Sequence, residues 1–286
     1  MRVMVLGANG MLGSAVFGQF CARGKHETWG LVRSEAMLVY FPESQRAQMI
    51  TGVDALDDAG LANAFALTRP DVVINCIGFV KQQSHADDPL KVLPINAMLP
   101  HRLQALCAGN SARLVQISTD CVFSGRKGQY TEDDPSDAND LYGKSKYIGE
   151  VRDMKHAVTL RTSIIGHELN SSRGLVDWFL EQNGTVRGYT HSIFSGMTAI
   201  ELARVMHDFL LPNAGLHGIF HVSAASISKF ELLRLIAAEY GKMIDIIPDD
   251  QPMIDRSLDS SAFRRETGYQ PPSWENMVRE MHQSRK

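Results

Sequence analysis

Tyr142 and Lys146 stand four residues apart in the stretch Leu141-Tyr142-Gly143-Lys144-Ser145-Lys146. On a helix that spacing is about one turn, which sets both side chains on one face. A free phenol, with a pKa of about 10, exchanges protons poorly near neutrality. An ammonium beside it favours the phenolate and lowers that value. The pair can therefore pass a proton to or from an oxygen. Tyr and Lys at this spacing are also ordinary on a solvated helix face, so the meaning of the pair depends on what surrounds it.

A second polar group lies upstream. The apolar run Arg113–Ser118 predicts a strand, and Thr119 stands at its carboxyl end. Its hydroxyl is a candidate hydrogen-bond donor to a carbonyl, although a strand-end turn also uses such a residue. Asp140 suits the N-cap of a helix carrying Tyr142 and Lys146. The acidic loop between them, residues 131–137, has no role assigned from the sequence.

The N-terminal part reads as a floor for a cofactor. Residues 2–6 form a short apolar strand, followed by Gly7-Ala8-Asn9-Gly10-Met11-Leu12-Gly13 and a helical segment from Ser14 to Phe20. Strand, glycine loop and helix are the setting of a dinucleotide fingerprint, here spaced GxxGxxG. Gly7 permits the turn, Gly10 the approach to a pyrophosphate, and Gly13 close helix–strand packing. The helix N-terminus supplies N–H groups and a positive dipole end. A second strand over 26–32 runs into Arg33-Ser34, with no carboxylate before Glu35. Guanidinium and hydroxyl side by side suit a 2′-phosphate, which favours NADP over NAD.

Residues 36–49 carry no clear pattern. A third strand is expected over 49–53, ending at Asp54, then a helix over 59–67 capped by Asp57 or Asp58 and ended by Pro70. A fourth strand over 71–75 precedes Cys76-Ile77-Gly78. A helix from Pro89 to Ala108 is expected, its first turn disturbed by Pro94. This β-α alternation predicts a doubly wound parallel sheet, an α/β fold.

After Ser163 the rhythm loosens. A helix is expected over 174–180, weak strands over 185–194 and an amphipathic helix over 198–211. A strand over 218–222 rejoins the main sheet, and a helix runs from a Ser228 cap to Tyr240 with Gly241 as its stop. These patterns divide the chain into a dinucleotide-binding domain, 1–164 with 197–224, and a smaller mixed α/β substrate domain, 165–196 with 225–286. His167, Arg187 and His191 are candidates for a substrate cleft.

Composition excludes several classes. The 286 residues carry a net charge of −3 with no long basic run, which argues against nucleic acid and anionic membranes as partners. Cys21, Cys76, Cys107 and Cys121 form no CxxC and sit among apolar neighbours, as free thiols in a reducing compartment do. No apolar run reaches the length of a membrane span, and the N-terminal run is too short for a signal segment. The expected location is the cytoplasm. The histidines lack metal-ligand spacing, so no metal site is expected.

Three motifs together, GANGMLG at 7–13, ISTDCVFSG at 117–125 and YGKSK at 142–146, resemble the extended short-chain dehydrogenase/reductase superfamily. Within it the chain resembles the dTDP-4-dehydrorhamnose reductases and related sugar-nucleotide 4-keto reductases. Leu160-Arg161-Thr162-Ser163 and Arg256-Ser257-Leu258-Asp259 look like further landmarks. The resemblance implies a Rossmann-type sheet and the following roles. Tyr142 would protonate the keto oxygen, Lys146 would lower its pKa and hold the nicotinamide ribose, and Thr119 would bond the same oxygen. Gly7, Asn9, Gly10, Met11, Leu12 and Gly13 would run along the pyrophosphate. Arg33 and Ser34 would meet the 2′-phosphate, Asp54 and Ala55 the adenine end, Cys76, Ile77 and Gly78 the cofactor ribose. Asn96 would lie under the active site.

Asp120, Cys121, Ile164 and Arg256 would line the substrate. Sugar-nucleotide dehydratases carry an Asp-Glu pair after the threonine. Here Cys121 follows Asp120, which disfavours 4,6-dehydration. Rhamnose-type reductases often carry Tyr at the position of Cys121 and Trp at that of Ile164, so a UDP-linked or a dTDP-linked sugar fits equally. The implied function is NADPH-dependent reduction of the 4-keto group of a nucleotide-linked deoxyhexose in nucleotide-sugar or surface-polysaccharide biosynthesis. The alternatives are an epimerase with retained NAD(P) and a non-catalytic NADP-binding regulatory subunit. Helices of this fold often pair between subunits, which leaves a homodimer open.

Overall fold

The computed structural model describes residues 1–81, 83 and 85–285. Its centre is a seven-stranded, wholly parallel sheet. The strands are β1 (Arg2–Leu6), β2 (Glu27–Leu31), β3 (Met49–Ile50), β4 (Val72–Asn75), β5 (Arg113–Thr119), β6 (Ala157–Thr162) and, later in the chain, Gly218–His221. Their spatial order is β3-β2-β1-β4-β5-β6, with Gly218–His221 at the far edge. This is the Rossmann order, which reverses between β1 and β4 and opens a crevice at the strands' carboxyl ends. The register makes that crevice specific. Leu6 pairs with Leu31 and with Asn75, so Gly7, Arg33 and Cys76 emerge at one edge.

Alternation along the strands explains why both faces are covered. Val3 and Val5 join Ile74, Val115, Val158 and Leu160 in one buried cluster. Met4 and Leu6 join Val73, Leu114 and Ala157 in the other. Helix α1 (Met11–Arg23) covers the first face through Val16 and Phe20. Helix α2 (Asp58–Thr68) covers the second with Leu61, Ala64 and Phe65, helped by Leu103 and Cys107 of the following helical run, α3 (Pro89–Gly109). Of the two proposed caps of α2, Asp57 is the one used, accepting from the Ala59 N–H. The helix ends at Arg69, in a left-handed conformation, one residue before Pro70.

Run α3 answers the question raised by Pro94. It continues through the proline in three pieces: Pro89–Leu93, a π turn at Pro94–Met98, and Leu99–Gly109. The π turn widens the helix where a proline removes an N–H. Helix α4 (Leu141–Ile148) carries the Tyr–Lys pair, and Asp140 caps it, accepting from the Gly143 N–H at 2.7 Å.

Two expectations shift. The third strand ends at Ile50 rather than Val53, because Gly52 turns the chain at φ 75°. Residues 36–49, without pattern in sequence, hold a 3₁₀ segment, Glu35–Tyr40, and one helical turn, Glu43–Arg46.

Beyond β6 lie β7 (Ile164–Ile165), α5 (Leu175–Glu181), β8 (Thr185–Tyr189), β9 (Ser192–Phe194), β10 (Met197–Thr198) and α6 (Ala199–Val205). Then come β11 (Gly218–His221), β12 (Ile227–Ser228), α7 (Lys229–Tyr240), β13 (Asp245–Asp249), β14 (Ile254–Asp255), α8 (Ser261–Thr267) and α9 (Trp274–Gln283). Strand β11 pairs in parallel with β6, and Ser228 and Gly241 cap α7. The pairs β13–β8 and β14–β9 use a segment whose Pro and Asp content had masked its strands. Among the described residues, no helix is long and apolar enough to cross a membrane. Nor do three or more of their His, Cys, Asp or Glu side chains gather as a metal site would require.

Candidate active site

The crevice at the switch point is a cleft of about 620 Å³. Its floor is the glycine loop. Gly7 adopts φ 72°, which L side chains rarely take, and its carbonyl accepts from the Gly10 N–H at 3.0 Å. A Cβ on Gly13 would lie 2.0 Å from the Gly7 oxygen, so only glycine lets α1 start this close to β1. Among the described residues, no side chain caps α1. Its first-turn N–H groups therefore lack an intrahelical or capping partner, as an anion site requires. Gly7, Asn9 and Gly10 line the cleft. Leu12 and Gly13 are buried behind it, and Met11 lines a separate cavity.

Arg33, Ser34, Asp54, Ala55, Cys76, Ile77 and Gly78 all line the same cleft. The Ser34 hydroxyl caps the 3₁₀ segment by accepting from the Ala36 N–H. Asp54 accepts from the Leu56 N–H at 2.9 Å. Arg33 is exposed, and its guanidinium has no hydrogen bond or ion pair among the described residues. These surroundings fit an adenosine carrying a 2′-phosphate.

Thr119, Tyr142 and Lys146 do not line this cleft; they adjoin it through Gly78. Lys146 is buried, donates to the Ile117 carbonyl at 2.7 Å, and would sit 3.9 Å from a Cβ on cleft residue Gly78. Burial lowers its pKa to about 8, against the opposing pull of Glu150 and Cys76. Burial also pushes the Cys76 thiol up to about 12. Asn96, at the π turn of α3, is buried with its amide fully engaged. It accepts from the Phe79 N–H at 2.8 Å and donates to the Phe79 carbonyl and the Ser145 hydroxyl. It ties the loop after β4 to α4, and its amide is not turned into the cleft.

Two glycines bring α4 into place. A Cβ on Gly143 would lie 2.2 Å from the Cys121 carbonyl, and one on Gly149 would lie 2.0 Å from the Asn96 carbonyl. Behind the helix, Glu150 is fully buried. It accepts from Ser118 at 2.8 Å, from Arg161 through both oxygens, and from Arg152. This network joins the ends of β5 and β6 to the end of α4.

The Tyr–Lys spacing alone predicts a lowered phenol pKa. In the structure the Tyr142 phenol is pushed up instead. Burial is the main cause and Cys121 adds to it, while the Thr119 hydroxyl acts the other way. The side chain keeps its proton near neutrality, which suits a donor. The Thr119 hydroxyl accepts from the Cys121 N–H and donates to Asp120 Oδ1, both at 3.1 Å. It is thus both a strand-end cap and a neighbour of Tyr142.

Asp120 is buried, and desolvation raises its pKa against the pull of Arg256, Thr119 and Lys229. Burial first, then Asp120, push the Cys121 thiol up to about 12. Arg256 donates to the Phe123 carbonyl at 2.8 Å, beside this group. Two cations escaped the sequence reading. Lys81 pairs with Asp140 at 2.7 Å, and its ammonium lies 5.4 Å from the Tyr142 ring centre. Lys229, at the start of α7, feels Asp120 and Cys121, although burial lowers its pKa. No local motif marks either lysine; only the fold brings Lys81 to Tyr142 and Lys229 to Asp120 and Cys121.

Ile164 lies in β7, half-buried against the main core, and does not line the cleft. His167 is held between Asp177 and Tyr240, with 2.8 Å to the tyrosine hydroxyl. Arg187 pairs with Asp249 on the β8–β13 ribbon. Neither these two residues nor His191 line the cleft.

Comparison with known proteins identifies the family and the fold. The chain is similar to a probable low-salt glycan biosynthesis reductase, Agl14, of Haloferax volcanii, with 29% identity over 90% of this chain and 84% of that protein. It is similar to the spore coat polysaccharide biosynthesis protein SpsK of Bacillus subtilis, with 28% identity over 99% of this chain and 98% of the other. Among solved structures it shares its fold with dTDP-4-dehydrorhamnose reductase from Bacillus anthracis in complex with NADP. There the TM-score is 0.80 and the identity 22%, over 100% and 99% of the two chains. The family model described as the RmlD substrate binding domain matches residues 1–286. The chain belongs to the RmlD substrate binding domain family.

Proposed function

We propose that the protein is an NADPH-dependent oxidoreductase that reduces the 4-keto group of a nucleotide-linked deoxyhexose in surface-polysaccharide biosynthesis. One observation carries this reading. The ammonium of Lys146 stands beside Gly78, which lines the same cleft as Arg33, and one helical turn from Lys146 the phenol of Tyr142 adjoins the Thr119 hydroxyl. Membership of the family and the names of the relatives support it.

Bound NADPH would supply the hydride. Gly7, Asn9 and Gly10 would hold its pyrophosphate, Arg33 and Ser34 its 2′-phosphate, and Cys76, Ile77 and Gly78 its inner ribose. The remaining work falls to side chains. Hydride arrival at a carbonyl leaves an alkoxide, which needs donors aimed at it. Tyr142, kept protonated by its surroundings, gives that oxygen its proton. The cationic Lys146, one helical turn away, favours the resulting phenolate. Thr119 has one proton, and the substrate oxygen would compete with Asp120 for it. Lys81, Lys229 and Arg256 offer positive charge on the side where a sugar nucleotide's diphosphate would enter. Cys121 and Ile164 leave open whether that nucleotide is dTDP or UDP.

The test is NADPH oxidation, followed by absorbance, with a panel of dTDP- and UDP-4-keto-6-deoxyhexoses. Turnover with at least one sugar is expected, with loss of about 10²–10⁴-fold in Tyr142→Phe. Full turnover in that variant would remove Tyr142 from the proton-donor role. No oxidation with any sugar in the panel would count against the reductase.

A further inference from the structure

The cofactor cleft has a second wall that the fingerprint does not predict. The loop between β7 and α5, residues 166–174, comes from the later half of the chain, yet Asn170 and Arg173 line the same cleft as the glycine loop. Its two ends clasp the first residue of α1. A Cβ on Gly166 would lie 3.2 Å from the Met11 side chain, and one on Gly174 would lie 2.7 Å from it. Between them, Leu169 packs on the cluster of Ala8, Phe17, Val32 and Phe41, and Asn170 reaches the Met37 sulfur at 3.6 Å. The loop therefore runs from the start of α1 toward the segment after Arg33.

The loop is built around Glu168. That carboxylate accepts from the Ser171 hydroxyl and the Arg173 N–H, each at 2.7 Å, and from the Gly174 N–H at 3.0 Å. Only the backbone of Arg173 is used. Its side chain is exposed, with no hydrogen bond or ion pair among the described residues. Arg33 and Lys91 line the same cleft in the same condition. Asp54 is the one carboxylate lining it among the described residues, and it already accepts from a backbone N–H. Several cations and an uncapped helix N-terminus facing one cavity repel one another unless an anion sits between them.

We propose that Arg173, from the loop at 166–174, binds the pyrophosphate of the dinucleotide together with the glycine loop, while Arg33 reads the 2′-phosphate. This rests on the dinucleotide reading given above. Gly174 sits against Met11 at the start of α1, which places Arg173 at the pyrophosphate end of the cleft; the 2′-phosphate end is at Arg33, after β2. The two arginines thus divide the work. A contact to the pyrophosphate is common to NADPH and NADH, whereas a contact to the 2′-phosphate exists only with NADPH.

The experiment is titration of the full chain with NADPH and with NADH, read by nicotinamide fluorescence, in wild type, Arg33→Ala, Arg173→Ala and Arg173→Lys. Arg173→Ala is expected to weaken both cofactors by the same factor, about tenfold, as loss of one charge-assisted contact does. Arg173→Lys should keep part of the affinity. Arg33→Ala should weaken NADPH alone. The Glu168 contacts use the backbone, so cofactor-free Arg173→Ala should melt as wild type does. Unchanged affinities in Arg173→Ala, or a loss confined to NADPH, would overturn the assignment. Wild type that bound neither cofactor would overturn the dinucleotide reading itself, and the role of Arg173 with it.

Discussion

Lys146 sets the pH range in which the proposed proton transfer works. Its pKa, lowered by burial to about 8, makes it a cation below that value and neutral above it. Turnover should therefore fall as pH rises through about 8, and a kcat–pH profile checks this; a rate still climbing at pH 9 would contradict it. Tyr142 behaves differently from what its spacing suggested, and the reason is instructive. The i, i+4 argument sees only the nearby ammonium, whereas the fold also buries the phenol and sets Cys121 and Asp120 beside it. Residue types were legible in sequence, but the sign of the shift depended on tertiary burial. Arg33 is the converse case. Its role was argued from position after β2, and it lines the cleft. Arg33→Ala should reduce preference for NADPH over NADH by about tenfold or more, measured as the ratio of kcat/KM values.

At the scale of elements, α4 is held by what is missing from it. Gly143 and Gly149 lie where any side chain would strike the carbonyl of Cys121 or Asn96. Alanine is normally better in a helix than glycine by about 1 kcal/mol. Gly143→Ala should nevertheless push the helix away from β5, misplace Tyr142 and lower kcat by about 10²-fold. Cofactor affinity should change much less, because the glycine loop and Arg33 are untouched. Equal activity in the variant would show that the close approach is dispensable. Elements with local signals were readable in advance: the β1–glycine–α1 unit, the Asp140 cap, and α7 between Ser228 and Gly241. The π turn, the place of the loop at 166–174 and the lysines at 81 and 229 were not. Their significance lies in contacts with residues distant in sequence, such as Asn96 with Phe79 or Leu169 with the cluster of Ala8, Phe17, Val32 and Phe41, and no periodicity encodes these.

For the whole molecule, buried imidazoles link folding to pH. His221 is fully buried beside Arg161, and burial with that guanidinium lowers its pKa to about 4. The pKa of His26 is also lowered, first by burial and then by His207. His221 is neutral in the folded chain down to about pH 4, and both imidazoles protonate near 6.5 when unfolded. The unfolded state then binds more protons, so stability falls as pH drops from about 6.5 to 4. His221 alone accounts for about 3 kcal/mol of that loss. Thermal midpoints measured across this range should decline steadily, and a flat profile would contradict the burial of neutral imidazole. The parallel sheet and its switch-point crevice were legible because strand alternation and glycine placement are local. The later half was less so, since its short strands β13 and β14 form only by pairing with β8 and β9. The central claim, that the cleft delivers hydride and Tyr142 a proton to one sugar carbonyl, is tested most directly by isotope transfer. With NADPH deuterated at the transferring position of C4, a reduced sugar nucleotide should carry one deuterium at its C4, in step with cofactor oxidation. A sugar converted without deuterium, or with no cofactor oxidised, would contradict it.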